Sequence, residues 1–115
     1  MNDAGFDTNQ SLSEQTYFIL LSLKLAPKHG YAIANDVQEL SNGQVVLSVS
    51  TLYTTLKRLL NDGWIRLADQ TPGISGKPRK VYELTSLGGN VLNTEITRLE
   101  MLVSVARSLR EDGVM

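Results

Sequence analysis

Residues 48–68 read SVSTLYTTLKRLLNDGWIRLA, and this stretch decides the fold. Ser48 is a residue type that caps helix N-termini, and four leucines recur after it at helical spacing, which predicts an amphipathic helix with a buried stripe. Asp62-Gly63 ends that helix, and the alternation from Trp64 to Ala68 predicts a β-strand. A helix that leads directly into a β-hairpin, after two earlier helices, is typical of a winged helix-turn-helix.

The other faces of this helix are polar and cationic. A rotation of about 100° per residue places hydroxyls and cations opposite or beside the leucine stripe. Within this helix, no acidic side chain precedes Asp62. Small hydroxyls reach phosphates and base edges without bulk, and cations attract the phosphate backbone. The alternative is an ordinary solvated helix face. The candidate DNA-contacting residues of this helix are Ser50, Thr51, Tyr53, Thr54, Lys57 and Arg58.

A basic loop follows the first strand. The loop runs from Asp69 to Pro78, and the run from Arg79 to Leu84 predicts a second strand. The loop is longer than a tight hairpin needs, and such loops are usually functional or mobile. Lys77, Arg79 and Lys80 put three cations in four residues. They suit a wing that lies along a phosphate backbone or enters a minor groove.

Positive charge is concentrated in this part of the chain. The whole chain has a net charge of −1, but residues 48–80 hold six Lys and Arg against two Asp, a net charge of +4. The rest of the chain therefore carries −5. A basic segment on an acidic protein is a local electrostatic footprint for nucleic acid. On charge alone, ordinary scatter of surface charge explains the pattern equally well.

Two helices are predicted before residue 48. Ser11 to Glu14 fits a capping box, and the apolar helix that it starts stops at Pro27. Apolar residues at helical spacing predict a second helix from about Tyr31 to Leu40. Asn42-Gly43 predicts a turn, and the β-branched run from Gln44 to Leu47 predicts a single short strand.

A long helix is predicted from Thr85 or Ser86 to about Glu111. Apolar residues recur in it with the 4-3-4-3 spacing of a heptad, and a second apolar stripe lies beside them. The short helix-and-hairpin body cannot cover so wide a surface, so we expect a partner, usually a second copy of the chain. The alternative is packing wholly within one domain. The candidate dimerisation residues are Leu92, Ile96, Leu99, Val103 and Ala106.

The predicted fold class is mainly α with a small β-hairpin. A disordered tail at residues 1–10 precedes a winged helix-turn-helix at 11–84 and a dimerisation helix at 85–115. The 115 residues include no Cys and one His, which excludes disulfides and a Cys/His metal site. No residues mark an enzyme site or a cofactor. No secretory signal or membrane span is visible, so we expect a cytoplasmic protein.

Short motifs along residues 12–92 resemble the PadR family of bacterial transcription regulators. Each motif alone is weak, but their order and spacing are specific. The single long C-terminal helix resembles the compact subfamily. The motifs are Tyr17-Phe18-Ile19-Leu20-Leu21, His29-Gly30-Tyr31, Thr51-Leu52-Tyr53, Leu56-Lys57-Arg58-Leu59, Asp62-Gly63-Trp64-Ile65, Pro78-Arg79-Lys80-Val81-Tyr82 and Leu84-Thr85-Ser86-Leu87-Gly88.

The resemblance implies a winged-helix homodimer, in most members a repressor and in many released from DNA by a small molecule. It places Thr51 and Tyr53 in the family's recognition-helix motif and Arg79 and Lys80 in its wing motif, all four toward DNA. His29-Gly30-Tyr31 matches the turn into the second helix, which we interpret as a packed junction rather than a DNA contact.

One departure from the family concerns the ligand. Drug-binding members of the compact subfamily place aromatic residues in the dimerisation helix, whereas no aromatic residue follows Tyr82 here. A planar aromatic ligand at the dimer centre is therefore not expected. A smaller aliphatic cavity, or no ligand, stays open.

The predicted function is sequence-specific regulation of transcription by a homodimer on a palindromic operator. The expected partners are double-stranded DNA, a second copy of the chain and a small-molecule effector, with no membrane. Two other classes stay open. One is a winged helix that binds protein instead of DNA, which the basic wing argues against, and the other is a ligand-sensing dimer that binds DNA weakly.

Overall fold

The computed structural model describes residues 11–68, 71–72 and 78–111. Within these ranges four helices pack around small antiparallel strands, which confirms the predicted fold class. The tail assigned to residues 1–10 lies outside the described residues, as does the end of the C-terminal helix segment at 112–115. The elements in chain order are α1 (Glu14–Leu25), β1 (Lys28–His29), α2 (Gly30–Leu40), α3 (Val49–Asp62), β2 (Ile65–Leu67), β3 (Thr71–Pro72), β4 (Pro78–Arg79), β5 (Val81–Leu84) and α4 (Ser86–Glu111).

α1 begins after a different cap from the one predicted. Ser13 is the N-cap, and its Oγ accepts a hydrogen bond from the backbone N–H of Thr16 at 3.1 Å. Ser13 Oγ also donates to Thr16 Oγ1 at 3.1 Å, so two hydroxyls hold the first turn together. The capping box predicted for Ser11 and Glu14 is therefore wrong. Glu14 lies in the first turn, where the positive end of the helix dipole favours its charge.

α3 begins and ends where the sequence predicts. Ser48 is its N-cap, with the Oγ accepting from the Thr51 backbone N–H at 3.1 Å. Gly63 ends the helix in the left-handed conformation with φ of 78°. The leucine stripe is confirmed, because Leu52, Leu56 and Leu59 are all buried.

The short strand predicted from Gln44 to Leu47 is wrong. The backbone N–H of Val45 donates to Ser41 Oγ at 2.9 Å, and the Val45 side chain lies in the core. A side-chain hydroxyl rather than a neighbouring strand therefore pairs this backbone group. The short strand occurs earlier instead, as β1, where it extends the sheet alongside β5.

The three-stranded sheet has the order β1-β5-β2 and is antiparallel throughout. Lys28 on β1 faces Tyr82 on β5. β3 and β4 form a separate two-stranded ladder in which Thr71 faces Arg79. This ladder lies in the segment that the sequence predicted as the wing loop from Asp69 to Pro78, so the prediction of a loop is wrong for Thr71, Pro72 and Pro78.

A polar cluster fixes β1 and α2 to α1. Ser22 is fully buried, and its Oγ donates to Asp36 Oδ2 at 2.8 Å. The Lys28 ammonium donates to the same carboxylate oxygen and to the Ser22 carbonyl, the latter at 2.9 Å. The hydrogen bond from Lys28 is the main reason that the pKa of Asp36 lies below its usual value. A paired, partly buried charge therefore holds α2 against α1 and β1.

α4 starts in contact with the hairpin. Thr85 Oγ1 accepts from the Gly88 N–H at 3.0 Å and donates to the Gly63 carbonyl at 2.6 Å, so Thr85 caps this helix. Gly88 passes so close to Trp64 that a Cβ at Gly88 would lie 2.0 Å from the Trp64 carbonyl oxygen. Only glycine fits there, and the first turn of α4 is fixed on the body of the protein.

α4 has a buried part and an exposed part. Val91, Leu92 and Glu95 are buried, whereas every side chain from 101 to 110 is exposed. Leu92 is 0% exposed and belongs to the core of its own chain, so its predicted role in dimerisation is wrong. The core lies between α1, α2, α3, the sheet and the first turns of α4, and its largest fully buried apolar side chains are Ile19, Leu20, Ile33, Val37, Leu56, Leu59, Ile65 and Leu92.

Candidate nucleic-acid interface

α3 presents a polar face to solvent. Thr51 is half-buried, and the other predicted contacts in this helix are exposed: Ser50, Tyr53, Thr54, Lys57 and Arg58. Within the part of the chain that the structure describes, Lys57 makes no ion pair. Among the described residues, no acidic side chain neutralises the charge at the centre of this face. An unpaired cation of this kind attracts the phosphate backbone of DNA.

The N-terminus of α3 is held by reciprocal hydroxyl contacts. Ser48 Oγ accepts from the Thr51 N–H and also donates to Thr51 Oγ1 at 2.9 Å. The Thr51 hydroxyl is thus part of the cap, in addition to its predicted position toward DNA. The positive end of the helix dipole still favours an anion at this terminus.

Tyr53 connects α3 to the start of α2. Its side chain is 47% exposed, and its phenol lies so near Gly30 that a Cβ there would be 2.7 Å from the Tyr53 oxygen. Tyr82 belongs to the same region. Burial raises the pKa of the Tyr82 hydroxyl, and the neighbouring Tyr53 raises it further. Tyr53 therefore packs the hydroxyl end of its ring near Gly30, and about half of the residue stays exposed.

Arg58 forms a hydrogen bond with α1 of the same chain. Its Nη2 donates to Thr16 Oγ1 of α1 at 2.7 Å, although 42 residues separate the two in sequence. Thr16 is buried, with 2% of its surface exposed. Lys57 and Arg58 are adjacent and both cationic, yet the structure gives them different environments.

One cation of the wing, Arg79, lies beside the start of α2. Arg79 and Lys80 are exposed, and Arg79 Nη1 is 3.4 Å from His29 Nε2. Arg66, a third cation of the basic segment, pairs with Glu83 across β2 and β5, with 2.5 Å between Nε and Oε2. Its charge is therefore compensated within the sheet. Lys77 lies outside the described residues.

This arrangement is a capped helix with a polar outer face next to a hairpin with exposed cations. A family model described as the transcriptional regulator PadR-like family matches residues 19–94. The chain belongs to the PadR-like family of transcriptional regulators. The resemblance seen in the motifs is thereby confirmed, and the protein is a regulator of transcription rather than an enzyme.

Solved structures of PadR proteins share the fold. A PadR family transcription regulator from Clostridium difficile is 25% identical, with a TM-score of 0.70 over 84% of this chain and 98% of that one. A PadR-like transcription factor from Bacteroides fragilis is 28% identical, with a TM-score of 0.67 over 82% and 87%. Bacillus subtilis PadR, solved in complex with operator DNA, is 28% identical, with a TM-score of 0.60 over 68% of this chain and 44% of that one. No curated protein sequence matches the chain.

Two other kinds of site are absent from the described residues. No group of three or more His, Asp or Glu side chains is placed to hold a metal ion there. In the same ranges, no helix combines the length and the apolarity that a membrane crossing requires.

Two exposed valines near the start of α3 were not among the residues predicted from the sequence. Val46 is 65% exposed in the segment before α3, and Val49 is 71% exposed as the first residue of α3. Apolar side chains at the start of a groove-reading helix can contact the methyl group of thymine. The position of Val49 directly after a capping serine could have indicated it.

The remaining dimerisation candidates line or adjoin a groove between α1 and α4. Ile96 and Leu99 are half-buried, and Val103 and Ala106 are exposed. The groove has a volume of about 670 Å³. Its one aromatic side chain among the described residues comes from α1, a contribution that the sequence reading did not identify. The groove is lined by Tyr17, Ile96, Leu99, Glu100, Val103, Ser104, Arg107 and Ser108.

Proposed function

We propose that this PadR-like regulator is a sequence-specific DNA-binding repressor that acts as a homodimer on a palindromic operator. The observation that carries the proposal is α3 itself, a capped helix whose exposed face is polar and free of acidic side chains before Asp62. Bacillus subtilis PadR, which shares the fold, was solved in complex with operator DNA, and this supports DNA as the partner. DNA is therefore the partner whose chemistry fits this face.

The residues have different roles in this proposal. Ser50, Thr54 and Lys57 enter the major groove on the exposed face of α3, and Thr51 and Tyr53 contact DNA at its edges. Arg79 and Lys80 of the wing, together with Lys77, contact phosphates and supply much of the affinity. Base contacts then specify the sequence, whereas phosphate contacts fix the register of the protein on the duplex.

The homodimer is proposed from the exposed part of α4. Five large apolar side chains between 101 and 109 are between 42% and 64% exposed in the single chain. A second α4, packed along these residues, would remove that surface from water. Two copies of α3 would then enter successive major grooves about 34 Å apart, which requires an operator with two-fold symmetry.

Release by an effector is the second half of the proposal. A small molecule bound at or beside the α1–α4 groove would change the distance between the two copies of α3. It would favour dimers that fit the operator poorly, because a ligand stabilises the conformation that it binds more tightly. We place the regulator in the cytoplasm, where its operator is accessible.

The experiment is selection of duplexes from a random library, followed by binding titrations over a range of salt concentrations. Replacing Lys77, Arg79 and Lys80 with alanine should weaken binding to all sequences and lower the salt slope by up to about 3, roughly one for each lost phosphate contact. Lys24→Ala, an exposed cation in the last turn of α1, is the matched control and should bind as the unaltered protein does.

Two outcomes would contradict parts of this proposal. If the unaltered protein enriches no duplex, DNA recognition is wrong as a whole. If the protein enriches a duplex and the triple variant binds it equally well with the same salt slope, the wing is not a phosphate contact.

A further inference from the structure

We propose that Arg58 is a positioning residue, which sets the angle of α3 on α1 through the Thr16 hydroxyl instead of contacting DNA. The inference rests on the proposed function, because it concerns how the DNA-reading helix is held. It departs from the sequence-based expectation that Arg58, like Lys57, contacts DNA. The two neighbouring cations thereby receive separate roles.

The contact itself is short and well defined. Arg58 Nη2 lies 2.7 Å from Thr16 Oγ1. The same Oγ1 accepts from Ser13 Oγ at 3.1 Å, and the Thr16 N–H donates to that Ser13 Oγ. The acceptor is thus immobilised by the cap of α1. A guanidinium bound to a fixed hydroxyl forms a charge-assisted hydrogen bond, which is stronger than a neutral one.

This hydrogen bond spans two helices that share the core but whose backbones lie apart. The backbones of α1 and α3 scarcely approach each other, whereas α1 packs closely on both α2 and α4. The long side chain of Arg58 therefore links the recognition helix directly to α1. Arg58 follows Val49 by nine residues, about 13 Å along the helix axis, so a small rotation at this contact moves the N-terminal end of α3.

Thr16 provides a clean way to test the role of Arg58. Because Thr16 is 2% exposed, it cannot touch DNA, so any effect of its hydroxyl on DNA binding must act through a protein group. Thr16→Val keeps the shape and removes the acceptor, and Thr16→Ser keeps the acceptor. Arg58→Met removes the donor while retaining an unbranched side chain, and Lys57→Met is the matched control on the adjacent residue.

The binding experiment uses the duplex selected by the unaltered full-length protein, titrated at several salt concentrations, with circular dichroism confirming that each variant is folded. Thr16→Val and Arg58→Met should each bind about tenfold more weakly, as the loss of one charge-assisted hydrogen bond allows. Neither should change the salt slope. The double variant should bind no more weakly than either single variant. Thr16→Ser should restore binding, and Lys57→Met should lower the salt slope by about 1.

The opposite pattern would overturn the proposal. If Arg58→Met lowers the salt slope while Thr16→Val binds as the unaltered protein does, Arg58 contacts a phosphate. Unchanged binding by both variants would also contradict a positioning role, as would additive losses in the double variant.

Amide hydrogen exchange in the free protein tests the link without DNA. Thr16→Val and Arg58→Met should speed exchange to a similar degree in the last two turns of α3, and unchanged exchange would overturn the proposal. If the unaltered protein binds no duplex, the proposed function fails, and this measurement still decides whether Arg58 holds α3 on α1.

Discussion

α3 and the C-terminal part of α4 are both exposed helical surfaces, but they expose opposite chemistry. The outward face of α3 carries Ser50, Thr54 and Lys57, whereas residues 101–110 of α4 expose Met101, Leu102, Val103, Val105 and Leu109. The outward face of α3 is stable in water, because water hydrates its hydroxyl and ammonium groups. The second surface is apolar and contiguous along one helix, and a surface of this kind usually marks a protein interface.

The difference indicates which partner each helix meets. A polar face beside exposed cations can stay in water until an anionic ligand arrives, so it needs no second protein chain to be stable. An apolar face is stabilised by burial, at about 25 cal/mol for each Å² removed from water. This difference supports the proposal that α3 makes a transient contact with nucleic acid and α4 a persistent contact with a second protein chain.

The largest effect is expected from placing a charge on the apolar face of α4. Val103→Glu would force a carboxylate into the proposed interface, at a cost on the order of 3 kcal/mol, which raises the dimer dissociation constant about a hundredfold. Analytical ultracentrifugation at micromolar concentration should show a monomer for this variant and a dimer for the unaltered chain.

The matched control for that variant is Thr97→Glu, an exposed polar position of the same helix that does not line the groove. It should leave the dimer intact. Two outcomes would contradict the proposal that α4 contacts a second copy. One is a dimer that persists in Val103→Glu, and the other is an unaltered chain that is monomeric at micromolar concentration.

A smaller effect concerns acid sensitivity, which should belong to α4 and not to α3. Glu95 is buried and receives two hydrogen bonds from Arg98, at 2.9 Å and 2.8 Å. The hydrogen bonds from Arg98 are the main cause that lowers the pKa of Glu95 below its usual 4.5, and burial opposes them. α3 carries no carboxylate before Asp62.

The sign of the pH effect follows from the lowered pKa. A carboxylate with a lowered pKa in the folded state stabilises the fold above its unfolded pKa, and this contribution is lost as pH falls through the folded value. Glu95→Gln should therefore lower the melting temperature at pH 7, and the gap should narrow as pH falls below about 4.5. Thermal melts from pH 7 to pH 3 measure this, and a gap that widens toward acid would contradict it.

The smallest effect is expected from the apolar start of α3. If Val49 contacts a thymine methyl group, replacing that thymine with uracil should weaken binding by about 1 kcal/mol, roughly fivefold, and Val49→Ala should be insensitive to the same change. Uracil scanning of the selected duplex, one position at a time, gives the comparison. If the unaltered protein and Val49→Ala lose the same affinity at every position, Val49 contacts no thymine methyl group.

The sequence predicted well those features that depend on local chemistry. The cap at Ser48, the leucine stripe of α3, the end at Gly63 and the start of α4 at Thr85 all appear in the structure. Each depends on residues within one or two turns of one another, so short-range patterns contain the information. The hairpin was predicted in part: β2 and β5 lie within the predicted strands, but β3 lies inside the predicted loop and β4 at its end.

Features that depend on distant partners were not predictable. β1 exists because Lys28 and His29 meet β5, more than fifty residues later. Leu92 continues the heptad in sequence, but the core of its own chain covers it. The role of Arg58 depends on a hydroxyl 42 residues away. Periodicity shows which face of a helix is apolar, and it does not show which surface covers that face.

The close contact between Gly88 and Trp64 has a mechanical consequence. α4 has 26 residues, and a helix of that length spans about 39 Å. With its first turn fixed at Gly88, the helix behaves as a lever whose short end is joined to the hairpin that follows the recognition helix. A tilt of about 10° at that pivot moves the far end, about 35 Å away, by about 6 Å. In the proposed dimer, a displacement of several ångströms where the two copies meet would reach the DNA-binding end as a rotation of only a few degrees. The helix would thus convert coarse changes at that contact into fine adjustments of the distance between the two copies of α3.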